Sequence, residues 1–343
     1  AVSFFATTTV TALGREVDSF QITAPVTVIP KIEVERRLPD NPADLLRDQP
    51  GVDVNGVGVN QARPIIRGQR GLRVLFMEDG LRLNNARRQT DFGEVTGLVD
   101  VADVSAVEVV RGPMSVLYGS DAVGGVLNLV TKRPRDSQGG LVRLTGGELS
   151  TFNADLRWAG HLWGDWYGKA TGGVRQSGDF TVSRNGYAEY SVPCGGAVTT
   201  DCLPQERVPL DPENDDEIAL ASARLDRYYG DNSLLSIEGG WADVPGPVFP
   251  TGIGRVQLVD VERRWARANF STPHWTVTGT ANTRDAPEQT ALSTGFNLAL
   301  DEEAWRGEVQ GNWGFLGDHL RLVAGVTYED TSIDSADQNR APR

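Results

Sequence analysis

From about residue 140 onward, apolar and polar side chains alternate with a period of two. Phe152, Ala154, Leu156 and Trp158 fall on one side of an extended chain, and Asn153, Asp155 and Arg157 fall on the other. Trp305, Gly307, Val309, Gly311 and Trp313 alternate with Arg306, Glu308, Gln310 and Asn312. Leu320, Leu322, Ala324, Val326 and Tyr328 repeat the pattern against Arg321, Gly325, Thr327 and Glu329. This is the period of a strand whose two faces meet different surroundings. It predicts nine strands, at approximately 140–147, 151–159, 166–176, 217–229, 233–242, 260–270, 274–283, 301–315 and 319–330. One segment breaks the rule: residues 264–270 put Arg264 or Arg267 on whichever face is chosen.

The first 137 residues read differently, as short mixed elements punctuated by glycine and proline. Strands are predicted at 26–29 and 52–54, with a helix over 42–48 capped by Asn41 and opened by Pro42, and the run PIIRG follows at 64–68. Residues 73–77 and 81–83 flank Asp79-Gly80, a hairpin signal. The run VEVVRGPMSVLYGSDAVGGVLNLVTKRP, residues 107–134, predicts a strand, a turn at Gly112-Pro113, a helical turn over 114–118 and a second strand over 125–132.

Alternation alone also fits a soluble β-sandwich, and the connections decide between the two. Short turns at Gly164-Asp165, 230–232, 272–274 and Gly317-Asp318 trade places with long connections at 177–216, 243–260 and 284–300. Outer-membrane barrels segregate short and long connections in this way. No apolar run approaches the ~20 residues of a membrane helix, so a membrane span here has to be a barrel.

Charge and aromatic usage divide the chain at the same place. Residues 1–137 hold 16 Lys and Arg against 17 Asp and Glu, and residues 138–343 hold 17 against 29. All eight tryptophans lie in the second part. The expected domains are therefore an N-terminal segment (1–15), a small α+β domain (16–137) and a barrel portion (138–343). No G-x-S-x-G, H-E-x-x-H, P-loop or basic stripe is present, which argues against these hydrolase and nucleotide chemistries and against nucleic-acid binding.

The 107–134 run, with its arginine, glycines, tyrosine and closing Thr131-Lys132, resembles the signature that ends the plug domain of TonB-dependent outer-membrane receptors. Residues 66–68 (IRG) and 74–85 (VLFMEDGLRLNN) resemble the same domain. The resemblance implies an α+β plug domain followed by an incomplete antiparallel transmembrane β-barrel, with about 9 of about 22 strands present. It implies the outer membrane of a Gram-negative-type bacterium, and a chain that is the N-terminal part of a longer receptor. It also implies active uptake of a large scarce nutrient and no enzymatic step. A ferric siderophore is the leading cargo, ahead of cobalamin, haem and oligosaccharide. A binding or adhesion protein that does not transport is the rival reading.

Residue roles follow from the resemblance. Thr7, Thr8, Thr9, Val10, Thr11 and Ala12 match a TonB box, the mobile segment that pairs with periplasmic TonB and its inner-membrane energising complex; a frayed terminus is the plainer reading. Arg67 and Gly68, with Arg111, Gly112 and Pro113, match plug positions whose arginines pair with barrel-wall glutamates. Asn60, Gln61, Arg87, Arg88, Gln89 and Asp91 fall in plug loops expected to face a chelate-bearing substrate.

Three features are read from the residues themselves. Cys194 and Cys202 lie close together in the longest connection, which suggests a disulfide, with metal binding as the alternative. Asp211, Glu213, Asp215, Asp216 and Glu217 are a solvated acidic loop or a Ca²⁺ site, without the spacing of a dedicated calcium loop. The three histidines, His161, His274 and His319, have no ligand spacing.

Overall fold

Two compact units divide the chain, residues 1–132 and 133–343. A computed structural model describes residues 9–10, 17–18, 25–37, 39, 41–55, 62–83, 99–118, 121–148, 151–176, 217–230, 232–244, 246, 248–251, 254–291, 296–315 and 320–335. In the first unit, β1 (Thr9–Val10) pairs antiparallel with β2 (Val17–Asp18). There follow β3 (Val26–Ile29), α1 (Lys31–Arg37), β4 (Val52–Asn55), β5 (Arg63–Ile66), β6 (Val74–Glu78) and β7 (Leu81–Arg82). The unit closes with β8 (Val104–Arg111), the single turn α2 (Ser115–Tyr118) and β9 (Gly125–Thr131).

The main sheet of this unit has the order β3-β8-β9-β6-β7, and β4 and β5 form a separate pair. Only β6 and β9 run parallel; the other neighbours in this sheet are antiparallel. Leu75, Met77, Val110, Ala122 and Val126 are buried together, with Val26, Val28, Met114 and Tyr118 packed against them. Alternating burial along β4 matches the strand predicted at 52–54, and β5 alternates in the same way. The predicted helix over 42–48 is a 3₁₀ helix, Pro42–Leu46; its cap is as expected, with Asn41 Oδ1 accepting from the Ala43 amide at 2.8 Å.

Helix α1 has no counterpart in the sequence reading, because a seven-residue helix with Val34 as its only buried residue shows no apolar period. Side-chain pairs hold it instead, Glu33 with Arg37 at 2.7 Å and Lys31 with Glu35 at 3.8 Å. Glu35 also reaches Lys132 Nζ at 3.3 Å, and that ammonium donates to the Ala102 carbonyl at 2.9 Å. The last residue of the unit is thereby fixed to α1 and to the segment that enters β8.

The second unit is a nine-stranded antiparallel meander. Its strands are β10 (Gly139–Gly146), β11 (Phe152–Trp163), β12 (Trp166–Gln176), β13 (Glu217–Tyr229) and β14 (Ser233–Val244). Between β14 and the next wall strand come β15 (Val248–Thr251) and β16 (Gly254–Val259). The wall resumes with β17 (Val261–Ser271) and β18 (Trp275–Asp285), leaves it for β19 (Glu288–Ala291), and ends with β20 (Leu300–Phe315) and β21 (Leu320–Ser335). The order β10-β11-β12-β13-β14-β17-β18-β20-β21 reproduces the nine predicted strands.

Burial in this sheet is inverted relative to a soluble protein. Asn153, Asp155, Arg157, Lys169, Arg175, Arg224 and Asp226 are buried on one face. Leu144 (69%), Leu156 (60%) and Val326 (76%) stand exposed on the other. Water would not sustain such a surface, whereas hydrocarbon requires it. On β20 the apolar face runs from Phe315 to Trp305, eleven residues, or about 25 Å of membrane height at the usual rise and tilt. Arg264 and Arg267 resolve the irregular segment. Arg267 lies on the buried polar face with Glu238. Arg264 takes the opposite face at the long-connection end, where Glu262 accepts from it twice, at 2.7 and 2.8 Å.

The long connections 243–260 and 284–300 are not plain loops, for β15, β16 and β19 form a three-stranded sheet there. Its register continues that of the wall: Glu262 faces Asp285, and three residues on in each strand Val259 faces Glu288. The interruption has two causes. Pro287 has no N–H to donate, and Asp260 adopts a left-handed φ of 54°.

Candidate functional site

The sequence-predicted arginines come together in the first unit through two tight backbone turns. After β5, Arg67 and Gly68 both take positive φ, 49° and 76°. Ile66 and Gln69 close the turn with reciprocal amide–carbonyl bonds of 2.9 Å. Two successive positive φ values make a primed hairpin turn, which glycine accepts freely and arginine does not. The Arg67 amide donates to the Gly51 carbonyl at 3.0 Å.

Arg111 ends β8, with its amide on the Pro25 carbonyl at 3.0 Å and Gly125 as its cross-strand neighbour. Gly112 then turns away with φ 113°, donating to the Gly124 carbonyl at 3.0 Å, and Gly124 donates to the Arg73 carbonyl at 2.7 Å. A Cβ on Gly124 would lie 2.4 Å from Cβ of Gln69. One on Gly125 would lie 2.3 Å from the Val110 carbonyl oxygen. Two glycines in a row are thus what allows the Arg67 turn and the end of β8 to approach.

A Cβ on Gly112 would be 3.6 Å from Arg67 Nη1, and one on Gly51 would be 3.6 Å from Arg111 Cδ. Arg111 is buried, donates Nη2 to Thr27 Oγ1, and keeps a buried Nε with no acceptor. Burial, and then the charge of Arg67, holds its pKa below the usual arginine value. Among the described residues neither arginine is in an ion pair. The two guanidinium groups repel each other, and a carboxylate brought between them would relieve that repulsion. Pro113 is exposed and stops the strand, and α2 follows directly, with the Met114 amide on the Ala122 carbonyl at 2.8 Å.

The polar face of the second unit carries charges that are paired within the sheet. Arg143 meets Asp155 at 2.7 Å, and Arg224 meets Asp226 at 2.8 Å. Glu238 lies between Arg224 and Arg267. Arg306 binds Glu308 at 2.9 Å and Glu329 at 3.1 Å. The sequence shows which residues share this face and not which of them pair.

Of the predicted box, Thr9 and Val10 are described, and they are extended. Thr7, Thr8, Thr11 and Ala12 lie outside the described residues. So do Asn60, Gln61, Arg87, Arg88, Gln89 and Asp91, together with Cys194, Cys202 and the acidic stretch up to Asp216. Glu217 begins β13. His161 Nε2 donates to the Gly164 carbonyl at 2.7 Å, and His274 Nδ1 meets the Asn312 carbonyl at 3.2 Å. Both therefore serve turns.

Residues 18–126 match the family model described as TonB-dependent Receptor Plug Domain. The chain is 31% identical over 199 residues to the vitamin B12 transporter BtuB of Vibrio vulnificus (strain CMCP6), covering 54% of this chain and 32% of that protein. Among solved structures, the pyoverdine outer membrane receptor FpvA from Pseudomonas aeruginosa PAO1 superposes with a TM-score of 0.65 at 16% identity, over 92% of this chain and 47% of that one. The copper transporter OprC gives 0.66 at 18% identity, over 90% and 46%. The alcaligin receptor FauA from Bordetella pertussis gives 0.61 at 15% identity, over 95% and 50%. The chain thus spans about a third of the length of the curated relative it matches. Residues 18–126 thus carry the plug domain of TonB-dependent receptors, and the wall of nine antiparallel strands with its apolar face outward shares the fold of these solved outer-membrane proteins.

Proposed function

We propose that the full-length protein is an active-transport receptor that takes up a large, scarce ligand across the outer membrane, with a ferric siderophore as cargo. The observation that carries this is the plug-domain match, with Arg67 close enough to Arg111 to lower its pKa and, among the described residues, no carboxylate paired with either. In this reading the two guanidinium groups hold the plug to carboxylates of the barrel wall. Breaking those contacts is the step that lets the plug yield. The extended pair Thr9–Val10 supports a role for residues 6–12 as the segment to which TonB adds a strand, since backbone hydrogen bonds supply affinity there whatever the side chains. Ligand binding at the plug loops, through Arg87, Arg88 and Gln89 with Asn60, Gln61 and Asp91, exposes that segment to TonB. Energy from the inner membrane then opens a path, and no bond of the cargo changes. Cys194 and Cys202 join in a disulfide that clips the longest connection.

A second cargo, cobalamin, is favoured by the sequence likeness to a vitamin B12 transporter. The test is a panel: cells carrying the full-length receptor as their only uptake route are given ferric hydroxamate, catecholate and carboxylate chelates, and cobalamin. Saturable uptake of one ferric chelate supports the first reading and uptake of cobalamin alone supports the second. Surface binding of a panel member with no energised uptake would instead support the non-transporting receptor.

A further inference from the structure

We propose that the lipid-facing side of the wall holds the phosphate of an anionic phospholipid at Arg227. The register puts this residue on the apolar face, opposite Trp166 on β12 and Leu235 on β14. Its guanidinium carbon lies 4.6 Å from the ring centre of Tyr229 and 5.5 Å from that of Trp166. Among the described residues Arg227 is in no ion pair. Arg264, the other arginine singled out on that face, is neutralised by Glu262. Arg227 is therefore an exposed cation on a surface that otherwise faces hydrocarbon.

Its height on the wall explains why the cation is tolerated. Arg227 sits next to the short turn at Gly230, within a belt of aromatic pairs at that end. Trp163 stacks near Trp166 at 6.0 Å, Tyr229 meets Phe270 edge-on at 6.1 Å, and Trp275 meets Trp313 at 5.0 Å. Such a belt marks the level of the headgroups, and the short turns mark the periplasmic side. The aromatic faces fix the plane of the guanidinium, whose paired N–H donors match two phosphate oxygens. Leu225, Ile237 and Phe270 stand exposed on the same face and offer an apolar bed for an acyl chain. A headgroup with its own ammonium brings a competing cation, so phosphatidylglycerol fits better than a zwitterionic lipid. The inference rests on the barrel reading of the wall and is independent of the cargo.

The test is native mass spectrometry of the full-length receptor in a neutral detergent, titrated with phosphatidylglycerol or with a diacylglycerol of the same chains. The wild type should retain phosphatidylglycerol about tenfold better than diacylglycerol, the scale of one charge-assisted bidentate contact. Arg227→Gln should fall to the diacylglycerol level, Arg227→Lys should fall between, and Arg264→Gln should match the wild type. Millimolar inorganic phosphate should not displace the lipid. Equal retention of both lipids by the wild type, full retention by Arg227→Gln, or displacement by inorganic phosphate would overturn the proposal. A receptor that stays soluble and monodisperse without detergent would instead overturn the barrel reading beneath it.

Discussion

Replacing Gly125 by alanine tests how the paired arginines are brought together. The added Cβ would stand 2.3 Å from the Val110 carbonyl oxygen, about 0.9 Å inside a normal carbon–oxygen contact of about 3.2 Å. The obstructing atom belongs to the backbone of β8 in the middle of the sheet, so no side chain can swing aside. Relief requires β8 and β9 to part where Val110 faces Val126 and Arg111 faces Gly125. Overpacking costs about 2 kcal/mol and the weakened ladder about 1 kcal/mol more, so we expect a loss of about 3 kcal/mol. Gly68→Ala is the control, because its φ of 76° is unfavourable for alanine but its Cβ would meet nothing within 4 Å. It should cost only about 1 kcal/mol. Residues 1–132 have their own buried core, which makes urea unfolding of that unit the natural assay. With a slope of about 1.5 kcal/mol per molar, the midpoints should drop by about 2 M and about 0.7 M. Equal midpoint shifts for the two variants would refute the steric argument and with it this account of how Arg111 is positioned.

Further predictions concern both units. Asp79 accepts from the Thr131 amide at 2.9 Å and from its hydroxyl at 2.5 Å, so Asp79→Ala should cost about 2 kcal/mol in the same urea assay. A change within 0.5 kcal/mol would show those bonds to be replaced by water. Asn41→Ala removes a buried helix cap and should cost about 1 kcal/mol or slightly more, read the same way. In the wall, Leu156→Arg places a charge on the lipid face and should destabilise the barrel by about 2–4 kcal/mol, seen as loss of the compact heat-modifiable band on gels of the full-length protein. Thr171→Arg, on the polar face, should leave that band largely in place; the opposite ranking would mean that the faces are misassigned.

How far the sequence carried depended on whether the signal was local. Strand β3 and the Asp79-Gly80 turn were legible because their chemistry lies in consecutive residues. So was the Asn41 cap, where one side chain reaches an amide two residues on. The nine wall strands were legible because a lipid-facing surface imposes a strict two-residue period on every strand. Helix α1 was not, since it is held by Glu33, Arg37 and a distant Lys132 rather than by an apolar stripe. The sheet of β15, β16 and β19 was also missed. It continues the β17–β18 ladder past Asp260 and Pro287, and a proline inside a connection reads locally as an end. At the site, the resemblance to the plug signature singled out Arg67 and Arg111, but their adjacency depends on backbone approaches at Gly124 and Gly125 that no local pattern reveals. Arg227 was passed over in the sequence because its partners, Trp166 and Tyr229, meet it only once the register is fixed.

Deleting residues 6–12 from the full-length receptor addresses the central claim most directly. Surface binding and energised uptake are measured in the same cells, with whichever labelled member of the chelate and cobalamin panel the receptor takes up. Energy coupling through this segment predicts that binding stays within about twofold of the wild type while uptake falls at least about tenfold, to the level of de-energised cells. Uptake unchanged by the deletion would contradict the account.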